Sequence, residues 1–163
     1  MRGRNGGPAV IRPMRRGEEV ACEAILRALP EWFGIEESLV GYVRDCMALQ
    51  TSVVDVDGVV VGFLTLEPLG PRSAEIRAVA VAPEHHGRGY GRLLVEHVEH
   101  ALLGRSVDTL QVKTLSASDP DPSYRRTRGF YERLGFRPLR ETLEWGEASP
   151  CVVMVKHLRC AST

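Results

Sequence analysis

No stretch of the 163-residue chain approaches the ~20 consecutive apolar residues of a membrane-spanning helix, so no membrane association is expected. No apolar run follows the Arg/Gly-rich segment Met1 to Pro8, which therefore does not read as a secretory signal. Residues 1–7 read as a frayed tail, and the cytoplasm is the expected compartment. An excess of one charge is missing too: 21 Lys and Arg balance 21 Asp and Glu. That balance removes the general electrostatic argument for nucleic acid or an acidic lipid surface as partner. The four cysteines (Cys22, Cys46, Cys151, Cys160) form no C-x-x-C pair and no zinc-ribbon spacing, and read as reduced thiols. His97 and His100 beside Glu96 read as ordinary groups on a helix surface, so no metal site is expected. Internal repeats and low-complexity linkers are also absent, and the length supports one hydrophobic core, so a single domain over residues 1–163 is expected.

What is present alternates between the periods of strand and helix. Ala9 to Pro13 reads as a short opening strand. Glu18 to Leu29 carries apolar residues at helical spacing, with Pro30 as its stop, and Glu36 to Leu49 reads as a second helix. Thr51–Asp55 and Val59–Leu66 flank Asp57-Gly58, a tight hairpin signal. Ala74–Ala82 is a buried-looking strand, Arg92–Leu103 a helix ended by Gly104, and Val107–Leu115 a strand. Ser123 is the expected cap of a helix running to Leu134 and closed by Gly135. Strands over Phe136–Leu143 and Cys151–His157, joined through Trp145-Gly146, complete a mixed α/β (α+β) sheet with helices on its faces.

One stretch is chemically distinctive. The strand residues Val79-Ala80-Val81 lead through Pro83 and His85 into His86-Gly87-Arg88-Gly89-Tyr90-Gly91-Arg92, which opens an amphipathic helix. Three glycines in five residues allow close approach of a ligand to the backbone, and the amides and macrodipole of a helix start favour an anion. A phosphate or pyrophosphate cradle is one reading, and a flexible surface turn is the other. Neither the P-loop ending Gly-Lys-[Ser/Thr] nor the dinucleotide fingerprint fits, because Arg92 stands where the latter needs glycine.

The segment His86 to Gly91 following Ala78-Val79-Ala80-Val81 resembles the acetyl-CoA loop of the GNAT superfamily of N-acetyltransferases, whose pattern is Gln/Arg-x-x-Gly-x-Gly/Ala. Gly129-Phe130-Tyr131-Glu132-Arg133-Leu134-Gly135-Phe136 is similar to the Phe-Tyr-x-x-x-Gly-Phe end of the family's last helix. The strand–helix order matches over roughly residues 9–157. The resemblance implies the GNAT fold, a mostly antiparallel sheet of about seven strands that splays in a V at its centre, with about four flanking helices. It implies acetyl-CoA as co-substrate, with the pyrophosphate on the amides of Gly87 to Arg92 and the pantetheine arm on the main chain of Val79, Ala80 and Val81. Two positions depart from the pattern: His86 replaces Gln or Arg, and Tyr124 and Thr127 stand where Asn and Ala are frequent. Tyr124 is thereby placed on the cofactor side. Dimers are common in the superfamily, and nothing in the sequence fixes the oligomeric state.

Acetyl transfer to an amine needs a neutral nitrogen. An alkylamine titrates about three units above neutral pH, so roughly one molecule in a thousand is free base, an apparent barrier of about 4 kcal/mol. Glu75 is the candidate base, because a carboxylate heading the apolar strand Ile76–Ala82 is unwelcome unless paired or useful; a structural pair with Arg77 is the alternative. Tyr131 resembles the family tyrosine that protonates the departing sulfur, with a core aromatic as its alternative. Trp32, Phe33 and Trp145 fall where the family builds acceptor walls, with plain core packing as the alternative. Glu67, Asp119 and Asp121 are further candidate anchors for a cation. Residues 119–140 hold six arginines against three acidic residues, whereas residues 31–45 hold four acidic residues against one arginine. That asymmetry points to an anionic cofactor and a cationic small-molecule amine acceptor, with an amino sugar of the aminoglycoside type as the first candidate. A protein or peptide N-acetyltransferase acting on Lys or an N-terminal amine is the rival enzyme, and a non-catalytic acyl-CoA-binding module is the rival outside catalysis.

Overall fold

The structure, a computed structural model, describes residues 7–118 and 121–159; Cys160, Asp119 and all of the expected tail except Gly7 lie outside that range. Seven strands hydrogen-bond in the order β1-β2-β3-β4-β5-β7-β6. They are β1 (Ala9–Pro13), β2 (Gln50–Val56), β3 (Val59–Pro68), β4 (Ser73–Val81), β5 (Thr109–Leu115), β6 (Arg137–Thr142) and β7 (Cys151–His157). The helices are α1 (Glu19–Arg27), α2 (Pro30–Phe33), α3 (Glu36–Ala48), α4 (Tyr90–Leu103) and α5 (Pro122–Arg133). The expected mixed, mostly antiparallel sheet is present: β1/β2, β2/β3, β5/β7 and β6/β7 run antiparallel, and β4/β5 runs parallel. The β4/β5 register ends at Ile76 and Val112, although β4 runs on to Val81 and β5 to Leu115. Among the described residues no helix is long and apolar enough to cross a membrane.

The chain divides into two compact units, Met1–Leu66 with Ala78–His97, and Glu67–Arg77 with Val98–Thr163. In the first, Cys22, Ile25, Leu26 and Leu29 form one helical stripe and pack with Leu39 and Cys46 of α3. Val53, Phe63, Ala78, Ala80 and Ala82 complete that core from the strands. Asp57 (φ 52°) and Gly58 (φ 84°) make the hairpin turn, and the Gly58 N–H donates to Asp55 Oδ1 at 2.7 Å. Pro30 does end α1, yet it also begins α2, a fifth helix beyond the four expected. Proline suits the first helical turn, where its missing N–H is not needed.

In the second unit β5 alternates buried Leu110, Val112 and Thr114 with half-buried Gln111, Lys113 and Leu115. The cap of α5 is Asp121 and not the expected Ser123: the Ser123 N–H donates to Asp121 Oδ1 at 2.9 Å, and Pro122 occupies the first helical position. The helix closes through Gly135 (φ 97°), whose N–H bonds to the Glu132 carbonyl, while the Phe136 N–H bonds to the Tyr131 carbonyl, both at 3.0 Å. Replacing Gly135 by Ala forces a side chain into this left-handed conformation. It is expected to cost about 1 kcal/mol, read as a lower urea midpoint.

Arg12 ties the entrance of the first unit together. Its guanidinium donates to Glu18 at 2.7 Å and to Asp55 at 3.1 Å, and Glu18 also accepts the Arg15 N–H at 2.7 Å. The hydrogen bond from Arg12, foremost, holds the Glu18 carboxyl down to about 2 from an ordinary 4.5. The folded value lies below the unfolded one, so the stabilisation is complete above pH 4.5 and is lost as pH falls toward 2. Glu18→Gln is expected to cost about 1–2 kcal/mol at neutral pH and to flatten this acid limb in urea titrations at a series of pH values.

Candidate active site

The first unit carries the glycine turn. After β4, Ala82 is pinned by its N–H to the Val61 carbonyl at 2.8 Å, and a single 3-10 turn over Pro83–His85 redirects the chain. Gly87 (φ 76°) and Gly89 (φ 80°) then take left-handed conformations that place successive amides side by side before α4 begins. Leu93 is the first residue to bond back, to the Gly89 carbonyl at 3.0 Å. Among the described residues, the N–H groups of Gly89, Tyr90, Gly91 and Arg92 precede the first bond of α4 and have no helical carbonyl to meet. A Cβ at Gly87 or Gly89 meets nothing within 4 Å, so the face these amides present is open. Open amides at the positive end of a helix suit an anionic group such as a pyrophosphate.

Side chains around this turn serve its shape. The His86 Nε2–H donates to the Val81 carbonyl at 2.6 Å, and Arg88 donates to His85 Nδ1 at 3.2 Å. Arg92 pairs with Glu96 one turn along at 2.7 Å. On β4, Val79 and Val81 are half-buried while the Ala78 and Ala80 side chains enter the core, so Ala80 has only its main chain to offer a ligand.

The second unit carries Glu75, whose residue is 3% exposed. The parallel register sets Glu75 against Gln111, and Gln111 Nε2 donates to Glu75 Oε1 at 2.7 Å. Lys113 Nζ lies 3.4 Å from the same oxygen, and Arg77 lies 3.4 Å from Oε2. The expected alternative, a pair with Arg77, is therefore present as one of three contacts. Gln111 and Lys113 escaped the sequence reading, although polar side chains at alternate positions of an otherwise apolar strand were the available signal. A carboxylate accepts about four hydrogen bonds, so Oε2 retains capacity for a further donor. The network extends outward, since Arg77 also faces Glu67 at 3.4 Å and Lys113 pairs with Glu144 at 2.9 Å. That contact raises the Lys113 ammonium above the usual lysine range and holds the Glu144 carboxyl below the usual carboxylate range.

Tyr131 lies in the same unit, 3% exposed, with its ring edge-on to Phe130 at 5.2 Å and to Phe136 at 5.4 Å. Tyr124 is half-buried two turns earlier on α5, and Thr127 spends its hydroxyl on the Ser123 carbonyl at 3.1 Å. Asp121 is occupied in capping that helix. The expected aromatic walls divide. Trp32 and Phe33 pack against the core of the first unit, Phe33 edge-on to Tyr42 at 5.5 Å. Trp145 is 43% exposed on the turn between β6 and β7. A cavity of about 260 Å³ beside α5, floored by Val152 and Met154, includes none of the expected catalytic residues.

Comparison with known proteins bears on the family and the fold. An acetyltransferase (GNAT) domain family matches residues 48–138, more than half of the chain. An uncharacterized N-acetyltransferase of Chlorobaculum tepidum is 30% identical over 105 residues, a match covering 64% of this chain and 57% of that relative. A putative GNAT-family acetyltransferase from Desulfovibrio desulfuricans superposes with a TM-score of 0.82 at 16% identity, over 93% of this chain and all of that one. The ribosomal-protein-S18-alanine N-acetyltransferase of Escherichia coli superposes with 0.75 at 18% identity, covering 95% and 97% of the two chains. The aminoglycoside 6′-N-acetyltransferase of Enterococcus faecium gives 0.70 at 19% identity, covering 94% and 99%. Because the acetyltransferase (GNAT) domain matches more than half of the chain, the chain belongs to the GNAT acetyltransferase family.

Proposed function

We propose that the chain is an acetyl-CoA-dependent N-acetyltransferase that acylates a primary amine of a small cationic molecule, an amino sugar of the aminoglycoside type being the first candidate. The observation that carries this reading is Glu75: a buried carboxylate fixed by Gln111, with acceptor capacity left on Oε2. Acetyl-CoA supplies an acyl group activated as a thioester. The amides of the turn from Gly87 to Arg92 would hold its pyrophosphate, and the main chain of Val79 and Val81 would pair with its pantetheine arm. Glu75 takes the proton from the acceptor ammonium, directly or through water, and Tyr131 gives a proton to the leaving sulfur. The described thiols Cys22, Cys46 and Cys151 are buried, which favours direct transfer over a covalent relay.

A second reading, a protein or peptide acceptor, is favoured by Trp32 and Phe33 being engaged with the core, which leaves Trp145 as the exposed aromatic. A thiol-release assay with acetyl-CoA against aminoglycosides, polyamines, amino acids, and Lys or free-N-terminus peptides separates the readings. Saturable turnover on aminoglycosides is expected. Turnover confined to peptides selects the second reading, and tight acetyl-CoA binding without turnover on any amine selects a binding module. With an active acceptor in hand, Glu75→Gln is expected to lower kcat about 10²–10³-fold and Tyr131→Phe about 10–10²-fold, both with acetyl-CoA affinity retained. Gly89→Val places a branched side chain at φ 80° over the open amides. It is expected to weaken acetyl-CoA binding at least about tenfold by calorimetry.

A further inference from the structure

One lysine joins the buried carboxylate to the turn that carries the exposed Trp145. Residues 143–150 connect β6 to β7 and expose Leu143 (60%) and Trp145 (43%), with the far end anchored by the Ser116 N–H to the Pro150 carbonyl at 2.9 Å. The turn is closed on itself by the Gly146 N–H to the Leu143 carbonyl at 2.8 Å and the Ser149 N–H to the Gly146 carbonyl at 3.1 Å. The Glu144 N–H also reaches the neighbouring Thr142 hydroxyl at 3.3 Å. Beyond these local bonds, the described residues offer one side-chain hydrogen bond or ion pair from this turn to another element, Glu144 Oε2 to Lys113 Nζ at 2.9 Å. The same ammonium stands 3.4 Å from Glu75 Oε1. The side chain of Lys113 is 21% exposed and that of Glu144 45%, so the inner half of this bridge is shielded while the outer half is open to solvent.

We infer that Lys113 is a positioning residue for acceptor binding, a latch that holds the Trp145 turn through Glu144 while it orients the Glu75 carboxylate. The inference rests on the acetyltransferase reading for its kinetic consequence, but not for its structural one. A long flexible cation shared by two carboxylates fixes both when both contacts are made, and losing either releases one end. The contacts of Lys113 in this network are to two carboxylates, so its removal acts on acceptor affinity and on Glu75 and leaves acetyl-CoA affinity alone. The Glu144 contact, being half-exposed, carries the smaller share.

The test pairs kinetics with a probe that needs no turnover. In a Trp32→Phe background Trp145 is the sole tryptophan, and acrylamide quenching of its emission reports how firmly the turn is held. Lys113→Met is expected to raise the acceptor KM about tenfold, to lower kcat severalfold through the released Glu75 carboxylate, to leave the acetyl-CoA KM unchanged, and to increase Trp145 quenching about twofold. Glu144→Gln is expected to give the same quenching with a two- to fivefold rise in acceptor KM, as for an exposed pair of about 0.4–1 kcal/mol. Lys113→Arg, which keeps the charge, is expected to restore both readouts. Unchanged quenching in Lys113→Met overturns the latch. So does a parallel rise in both KM values, or a loss of folded protein that Lys113→Arg fails to rescue, since either marks a general structural role. Absence of turnover in the parent protein on every amine defeats the acetyltransferase reading, and the quenching series then decides the latch by itself.

Discussion

A carboxylate at 3% exposure within a sheet is tolerable only if donors reach it, and for Glu75 those donors are set by strand register. The parallel ladder aligns Ser73–Ile76 with Thr109–Val112, which puts Gln111 opposite Glu75 and Lys113 one side-chain repeat further along the same face. A slip by one residue would set the carboxylate against Leu110 or Val112, both almost wholly buried. The register that satisfies Glu75 also delivers an ammonium to Glu144 and leaves Arg77 to meet Glu67. One buried charge thus organises five charged or polar side chains of the second unit.

The first unit achieves its chemistry by another route. Its turn offers main-chain amides, and two left-handed glycines set their direction. The substitution of His86 for the usual Gln or Arg leaves those amides in place; the ring instead fastens the turn to the end of β4 through the Val81 carbonyl. Backbone recognition of an anion is insensitive to such changes, whereas the Glu75 network depends on the identity of every member.

Signals carried within a few residues were legible before the structure. The Asp57-Gly58 turn, the helical stripe through Cys22, Ile25 and Leu26, the glycine turn and the Gly135 helix stop all appear where local chemistry places them. Local competition produced the small errors. Ser123 and Asp121 are both good caps, and the adjacent Pro122 decides for Asp121 because proline fits the first helical position. Pro30 reads equally as the end of one helix and the start of the next, and it is both. Glu75 stood out as an acidic residue at the head of an apolar strand, yet its partners did not, because Gln111 lies 36 residues away in the chain.

Short-range pattern was enough for the fold class and the glycine turn, and the resemblance carried by two motifs for the family, since strand and helix periods and positive-φ glycines are properties of neighbouring residues. Register was not readable in that way. Whether Glu75 meets Gln111 and Lys113, whether Trp32 and Phe33 turn toward the core, and whether Glu144 reaches back to the sheet depend on pairings between distant segments, and only folding selects among those. Where recognition is made by backbone conformation it is written locally; where it is made by side chains converging from separate strands, the packed sheet decides it.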